Sequence, residues 1–194
     1  MKKFELTSEF VTFLGKKLFR IKALVSFGDV KEGELGGLVE KEENLDQSGD
    51  AWVYGDAQVS CDAQVSGDAR VYGDAQVYGD AWVYGDAWVS GNAQVSGDAQ
   101  VYGDAQVYGD ARVYGDARVQ NCRDYSATSC FGSENRTTTF FHTKDGGIGV
   151  RCGCFYGTLA EFREKVKERH GDSRTAKEYL MLADLMEFRL SKDE

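Results

Sequence analysis

Proline is absent from the 194 residues, and histidine occurs only twice, as His142 and His170. The absence of proline excludes proline-rich linkers and fits a continuous stack of strands. No apolar run is long enough to cross a membrane, and none follows the basic start of the chain as in a secretory signal. The five cysteines lack the spacing of a disulfide scaffold. We therefore expect a protein of the reducing cytoplasm.

One stretch dominates the chain: Asp50 to Asn121 consists of twelve consecutive hexapeptides close to Asp-Ala-x-Val-(Tyr/Ser)-Gly. A fixed period this short indicates a solenoid. The alanine and valine lie two residues apart and share one face of a strand, whereas the Gly-Asp pair breaks the strand and forms a corner. The first position departs from aspartate only at Asn92, and the last departs from glycine only at Cys61 and Asn121. The unit is therefore a short strand with two inward residues, followed by a turn.

This repeat resembles the hexapeptide-repeat left-handed β-helix family, in which three hexapeptides form one triangular coil. The resemblance implies a mainly β protein with about four regular coils in a left-handed parallel β-helix. Its handedness comes from the resemblance alone, since parallel crossovers are usually right-handed. We predict three parts: an N-terminal β-hairpin cap over residues 1–27, the β-helix over 28–121 with an irregular first coil, and a small C-terminal ββαα domain over 122–194.

The segments outside the repeat have their own patterns. Two alternating runs, 11–14 and 17–23, flank Gly15-Lys16 and predict the hairpin. Residues 122–136 are predicted to be a linker, and residues 137–143 and 148–155 two strands joined by a glycine-rich turn. A capping box from Thr158 to Glu161 predicts a first helix. A second helix is predicted from about Ser173 to Leu190.

The two helices are predicted to bury one face each. The expected inward residues are Leu159, Phe162 and Val166 in the first helix, and Ala176, Tyr179, Leu180, Ala183 and Met186 in the second.

An eighteen-residue period sorts the outward residues of the β-helix into three faces, of which the first is the most aromatic. Exposed aromatic patches indicate an interface, although ladders of tyrosine and glutamine also suit a flat β-surface. Because members of the resembled family are often trimers, we expect a homo-oligomer, with a trimer favoured. The predicted oligomer or partner face consists of Trp52, Tyr54, Tyr72, Trp88 and Tyr108.

Phrases outside the repeat, such as Thr137-Thr-Thr-Phe-Phe and Cys152-Gly-Cys-Phe-Tyr, resemble a family carried by bacteriophages and prophages. That family has no assigned chemistry. The resemblance implies a phage-encoded protein of the host cytoplasm. We expect a non-catalytic binding protein that antagonises a host defence component, either by binding a protein or by sequestering a nucleotide-like signal. A structural or assembly role is an alternative.

Enzymes that resemble this repeat use histidines. In hexapeptide acyltransferases the resemblance implies a histidine base near a coil edge and a loop leaving the prism, whereas these coils contain no histidine and no insertion. Zinc carbonic anhydrases of similar fold need three histidine ligands, and two are present here. We therefore expect no catalytic residue and no cofactor.

Cysteine supplies the main candidate metal site, since the spacing of the corner aspartates does not resemble known calcium loops. Cys152 and Cys154, with Cys122 and Cys130, could offer the four thiolates that suit zinc. The alternative is that Cys152 and Cys154 are two small residues buried on one strand face, and this alternative is favoured. We therefore predict no metal.

A polar cluster around the predicted hairpin of the C-terminal domain is the candidate ligand site. Strand alternation places Arg136, Thr138 and His142 on one face. Hydroxyls, glycines and cations together could hold a phosphate or carboxylate, and the alternative is a solvated hairpin surface. The candidate residues are Ser133, Asn135, Arg136, Thr138, His142, Lys144 and Arg151.

The charge is concentrated in the repeat. The formal net charge is −9, and residues 50–120 hold eleven aspartates against three arginines. This makes direct nucleic-acid binding unfavourable. Over a predicted length of ~19 Å the aspartates approach the density of duplex DNA, about one charge per 1.7 Å. An acidic DNA-mimic inhibitor is therefore a second alternative, although corner aspartates are also what turn chemistry selects.

Overall fold

The structure is a computed structural model that describes residues 2–13 and 15–191. It contains nineteen strands, one short 3-10 helix (Glu42–Asn44) and two α-helices within these residues. The first strands are β1 (Phe4–Phe13), β2 (Lys16–Ala23) and β3 (Leu35–Val39). Leu14, the predicted last residue of the first hairpin strand, lies outside the described residues, as do residues 1 and 192–194.

Twelve two-residue strands follow, one in each hexapeptide. They are β4 (Trp52–Val53), β5 (Gln58–Val59), β6 (Gln64–Val65), β7 (Arg70–Val71), β8 (Gln76–Val77), β9 (Trp82–Val83), β10 (Trp88–Val89), β11 (Gln94–Val95), β12 (Gln100–Val101), β13 (Gln106–Val107), β14 (Arg112–Val113) and β15 (Arg118–Val119).

These strands form a β-solenoid with three hexapeptides in each turn. Each of the strands β4 to β12 pairs in parallel with the strand eighteen residues later, as Trp88 does with Gln106. The result is three parallel sheets, β4-β7-β10-β13, β6-β9-β12-β15 and β5-β8-β11-β14. The third sheet continues into β3, and Leu45 bridges to Val65, so an irregular coil precedes four regular ones. The predicted architecture is confirmed, and its left-handed winding stays a prediction.

The core of the solenoid consists of the repeated alanines and valines, all of which are fully buried. Ten of the twelve hexapeptides close with a glycine, which suits the close stacking of the corners. Gly85, for example, has a φ of +73°, and a Cβ there would lie 3.1 Å from the backbone nitrogen of Gly103. A side chain at this corner would therefore be strained and would press on the next coil.

The N-terminal hairpin β1–β2 covers the first coil, as predicted. Phe4 pairs with Ala23, and β2 pairs with β3, so the hairpin extends one sheet of the solenoid. Trp52 was predicted to lie on an exposed face, and this prediction is wrong, because the N-terminal segment buries its side chain completely. The Phe4 and Phe27 rings lie 6.1 and 5.3 Å from the Trp52 ring. Periodicity shows only that Trp52 points away from the solenoid core, whereas tertiary packing places the N-terminal segment over it.

Lys3 closes the same end of the solenoid. Its side chain is buried, and its Nζ donates to the carbonyl oxygens of Ser48 (3.3 Å), Gly49 (3.2 Å) and Ala51 (3.0 Å). Burial lowers the pKa of Lys3 to about 8, against the opposing effect of nearby aspartates. The ammonium group donates hydrogen bonds to three carbonyl oxygens that, within the regular stack, would accept from the N–H groups of a preceding coil.

The C-terminal domain begins with an antiparallel sheet of four strands, in the order β16-β17-β18-β19. These strands are β16 (Tyr125–Phe131), β17 (Arg136–His142), β18 (Ile148–Cys152) and β19 (Phe155–Thr158). The predicted ββαα domain is therefore corrected to ββββαα. Residues 122–136, predicted to be a linker, contain β16. A turn at Gly153, whose φ is +57°, divides the predicted strand 148–155 into β18 and β19.

One face of this sheet covers the last coil. Phe141 and Tyr125 are buried in the same core as the solenoid valines. The Thr139 Oγ1 accepts from the Arg112 backbone N–H at 2.9 Å, and the Tyr125 hydroxyl donates to the Gln106 carbonyl oxygen at 2.7 Å. The C-terminal sheet is thus the cap of the second open end.

The helices α1 (Leu159–His170) and α2 (Arg174–Leu190) cover the other face. The predicted capping box is confirmed, since the Thr158 Oγ1 accepts from the Glu161 backbone N–H at 3.2 Å. All three predicted inward residues of α1 are buried. In α2, Leu182 is buried and Leu180 only partly so. Leu182 follows Tyr179 by three residues and precedes Met186 by four, which is the spacing of a helix face.

We expect the replacement of Lys3 by methionine to lower the free energy of unfolding by about 1–3 kcal/mol, because three carbonyl oxygens lose their donor. Denaturant unfolding measures this difference. Lys2→Met is the control, since Lys2 makes only an exposed ion pair with Glu42. Equal effects of the two changes would show that the buried ammonium group does not stabilise the cap.

Tyr125→Phe tests the second cap through pH. Burial raises the pKa of Tyr125 from 10 to about 12. The unfolded chain therefore loses this proton first, so the hydroxyl's stabilisation is complete below pH 10 and is lost between pH 10 and 12. We expect a wild-type advantage of about 1 kcal/mol over Tyr125→Phe below pH 10. It should decline by at most about 1.4 kcal/mol per pH unit above that value.

The control is Tyr108→Phe, because the Tyr108 side chain is 62% exposed. A wild-type advantage over Tyr125→Phe that stays constant up to pH 12 would contradict the prediction.

Candidate functional site

A groove lies in the C-terminal domain where α1 leaves part of the sheet uncovered. It has a volume of about 450 Å³ and is bounded by the β18–β19 turn, by α1 and by residues 133–136. We call it the aromatic groove. Its floor consists of Cys152, Phe155, Phe162, Val166 and Tyr179, and its rim of Ser133, Glu134, Arg136, Lys165, Arg169 and His170.

The floor is a set of packed rings. The Phe162 ring lies 5.6 Å from Phe155 and 5.7 Å from Tyr179, and the His170 ring lies 5.8 Å from Tyr179. Phe162 and Tyr179 are buried in the core that the helices share with the sheet, so their positions are held from below. A floor of this kind can hold a flat apolar or aromatic group.

The rim is positively charged, although the whole chain has a net charge of −9. Arg136 makes a loose ion pair with Glu134 at 3.7 Å, and the Lys165 Nζ lies 2.8 Å from Glu168. Within the described residues, Arg169 has no ion-pair partner. The rim can therefore attract an anion, although Glu134 and Glu168 lie beside two of its cations.

Tyr179 contributes a neutral hydroxyl. Its pKa is raised to about 12, chiefly by burial and further by the neighbouring Cys152 thiol. Cys152 in turn accepts from the Thr138 hydroxyl at 3.2 Å. At neutral pH the Tyr179 hydroxyl keeps its proton, so it can donate a hydrogen bond but is a poor base.

A second cavity adjoins the first where the C-terminal domain meets the solenoid. We call it the junction cleft, and its volume is about 360 Å³. The solenoid contributes Asn92, Gln94, Asp110 and Arg112, and the C-terminal domain contributes Asn135, Arg136, Thr137 and Gly153. Arg136 and Gly153 line both cavities.

Comparison with protein families bears on the scaffold of this site. The family profile described as the YdcK Beta solenoid repeat matches residues 63–79, 75–91, 93–109 and 111–122. The repeat region is similar to the YdcK β-solenoid repeat. Its matched residues follow the coils described above, so sequence similarity and geometry agree on a β-solenoid. A search of curated proteins finds no match.

The seven residues of the predicted ligand cluster are not gathered in one place. Ser133 and Arg136 line the aromatic groove, and Asn135 lines the junction cleft. Thr138 is fully buried, and His142 lies at the other end of β17, in a different cavity near the end of α2.

Arg151 and Lys144 are also separate from the groove. The Arg151 guanidinium lies 5.0 Å from the Tyr114 ring of the solenoid and donates to the carbonyls of Cys154 and Phe155. The Lys144 backbone N–H donates to the Asp116 carbonyl oxygen at 3.0 Å. As strand alternation predicted, Arg136, Thr138 and His142 share one strand face, which is the face of the sheet that the helices cover. The helices cover the middle of that strand, however, and so separate its two ends.

Most residues of the aromatic groove were not predicted from the sequence, because the pattern of α1 was interpreted as one buried face and one solvated face with no ligand surface between them. A signal was present, since Phe162, Lys165, Val166, Arg169 and His170 are spaced three, four, seven and eight residues along one helical stripe. A stripe that mixes aromatic and basic residues indicates a surface that is partly covered and partly available to a ligand.

The cysteines are all free thiols. Cys152 is half-buried against the helix core, whereas Cys154 is exposed in the turn, so only one of the two packs inward as predicted. Within residues 2–13 and 15–191, no group of three or more histidine, cysteine or acidic residues is placed to hold a metal ion.

The predicted aromatic face is divided by its surroundings. Besides the buried Trp52, Tyr54 is half-buried, whereas Tyr72 and Trp88 pack edge to face at 6.2 Å and Tyr108 is well exposed.

A second apolar surface was not predicted: Met181, Leu185 and Phe188 on α2 are 70%, 56% and 82% exposed. Neither helix in the described part of the chain is long and apolar enough to cross a membrane.

We expect Arg151→Ala to destabilise the protein by about 1 kcal/mol, because the stacking on Tyr114 and two hydrogen bonds to carbonyls are lost. Arg169→Ala should change stability by less than about 0.5 kcal/mol, since Arg169 has no ion pair in the described structure. Thermal unfolding of the two variants makes the comparison. Similar losses of stability would mean that Arg169 has a structural role.

Proposed function

We propose that this protein is a non-catalytic binding protein that holds a nucleotide-like anionic ligand in the aromatic groove. The proposal is carried by one observation: a floor of packed aromatic rings lies below a rim of basic side chains in an otherwise acidic chain. A nucleotide combines the two matching parts, a flat ring and a phosphate.

The base of the ligand would pack on Phe155, the floor ring that is only partly buried, with the buried Phe162 ring 5.6 Å away holding it in place. Stacking on aromatic side chains is worth about 1–3 kcal/mol per base in single-stranded nucleic-acid complexes. The phosphate would lie between Arg136 and Arg169 at the rim, where arginine can bind two of its oxygens at once. Glu134 would then be displaced from its loose contact with Arg136.

The arginines and Tyr179 of the groove are suited to binding, and His170 is the rim residue whose side chain could accept a proton. Arginine keeps its charge at all ordinary pH values and acts as a fixed phosphate ligand. Tyr179 keeps its proton because its pKa is raised to about 12. The arginines and Tyr179 can recognise a phosphate and a base edge, and neither kind of group is suited to remove a proton.

The solenoid would serve as a rigid body that presents the groove at one end. In the setting implied by the resemblance to a bacteriophage family, the ligand would be a signal of a host defence system. The protein would then act by lowering the free concentration of that signal. The predicted homo-oligomer, with a trimer favoured, would carry one aromatic groove in each subunit.

Calorimetric titration with AMP tests the proposal. We expect AMP to bind in the micromolar range, and adenosine and inorganic phosphate to bind at least tenfold more weakly, because each supplies only one of the two parts. Arg136→Ala and Arg169→Ala should weaken AMP binding by at least tenfold, which corresponds to about 1.4 kcal/mol. The matched control is Arg174→Ala, because Arg174 is exposed at the start of α2 and pairs only with Glu178.

Unchanged AMP affinity in both groove variants, or no AMP binding at millimolar concentration, would overturn the proposal. Native mass spectrometry of the protein as purified from cells gives an independent test, because a retained phosphorylated compound adds a defined mass. The same spectrum counts subunits, and a monomer would contradict the predicted oligomer.

A further inference from the structure

Two departures from the regular repeat occur together at the junction cleft. Asn92 is the only residue other than aspartate at the first position of the twelve hexapeptides. Arg112 occupies a column in which the three preceding coils have Gln58, Gln76 and Gln94. Both residues line the junction cleft. In a repeat this regular, neither departure is required by the coil itself, because the neighbouring coils stack without it.

Both departures make the local charge more positive. Asn92 replaces a carboxylate with an amide, and Arg112 replaces an amide with a guanidinium. The cleft therefore holds Arg112 and Arg136 against one acid, Asp110. Asp110 is itself engaged, since its Oδ1 accepts from the Asn92 Nδ2 at 3.0 Å. The departures thus create a positive site on the wall of an acidic solenoid.

The junction cleft adjoins the aromatic groove, and Arg136 and Gly153 line both. The Arg136 Nη1 lies against Gly153, where an added Cβ would be 3.0 Å away, so both residues border the two spaces. The Arg136 guanidinium therefore lies at the boundary. The two volumes, about 450 and 360 Å³, each fall within the range of small-molecule sites.

We propose that the aromatic groove and the junction cleft form one site for a ligand of the dinucleotide class. This inference rests on the proposed function and extends it from the C-terminal domain onto the solenoid. The first base occupies the aromatic groove, and its own 5′ phosphate lies at Arg136, as in the AMP complex proposed above. The second nucleotide occupies the junction cleft, where Arg112 binds its phosphate and the amides of Asn92, Gln94 and Asn135 hydrogen-bond its base edge or ribose.

The test compares the linear dinucleotide pApA with AMP by calorimetric titration. We expect pApA to bind at least tenfold more tightly, because it fills both spaces. Asn92→Asp and Arg112→Gln should weaken pApA binding by at least fivefold and change AMP binding by less than twofold. Each substitution restores the residue that other coils carry at that position, so the solenoid is expected to fold normally.

Arg70→Gln is the matched control, because it makes the same change at the same repeat position on the second regular coil, far from the junction cleft, where Arg70 pairs with Asp29. It should leave pApA binding unchanged. If AMP binds but pApA binds no more tightly, or if Asn92→Asp and Arg112→Gln have no effect, the extension is wrong and the aromatic groove stands alone. If neither compound binds, the proposed function fails and this inference fails with it.

Discussion

The structure depends on the stacking of identical alanine and valine layers inside a narrow solenoid. Every coil bonds to the next through its backbone, as where the Gln94 N–H donates to the Ala111 carbonyl oxygen at 2.9 Å. The core residues are small, and the corner glycines approach one another closely, so the coils leave little room for variation. Such a stack has one weakness: each end exposes a layer of apolar side chains and unpaired backbone groups.

The two ends are covered by different means, and the C-terminal solution produces the candidate site. At the N-terminal end a buried ammonium, Lys3, and the rings around Trp52 complete the first coil. At the other end a four-stranded sheet uses one face to cover the last coil and packs two helices on its opposite face. The helices do not cover the whole sheet. The aromatic groove lies in the uncovered part, and the junction cleft lies where the sheet meets the solenoid.

Much of the fold was predictable because the responsible interactions are local or periodic. The resemblance of the hexapeptides to known β-helices predicted the eighteen-residue pairing, and the capping box at Thr158 predicted the start of α1. β16 was missed because its alternation of small polar residues carries little apolar signal, and it becomes a strand only by pairing with β17. The predicted ligand cluster failed for a similar reason: Arg136 and His142 share a strand face, but the helices that separate them belong to another part of the chain.

The sequence by itself determined the strand-and-turn unit and the outward direction of each repeated side chain, because these follow from backbone geometry, whereas three units per coil followed from the resemblance to known β-helices. Only the tertiary structure decided which outward residues are accessible. Trp52 and Trp88 hold the same place in the repeat, and one is buried and the other exposed because the N-terminal hairpin reaches only the first coil. The tertiary structure also brings Asn92, Arg112 and Arg136 to the same cleft. Their proximity depends on how the C-terminal sheet docks on the last coil, and the periodicity of the repeat carries no information about that docking.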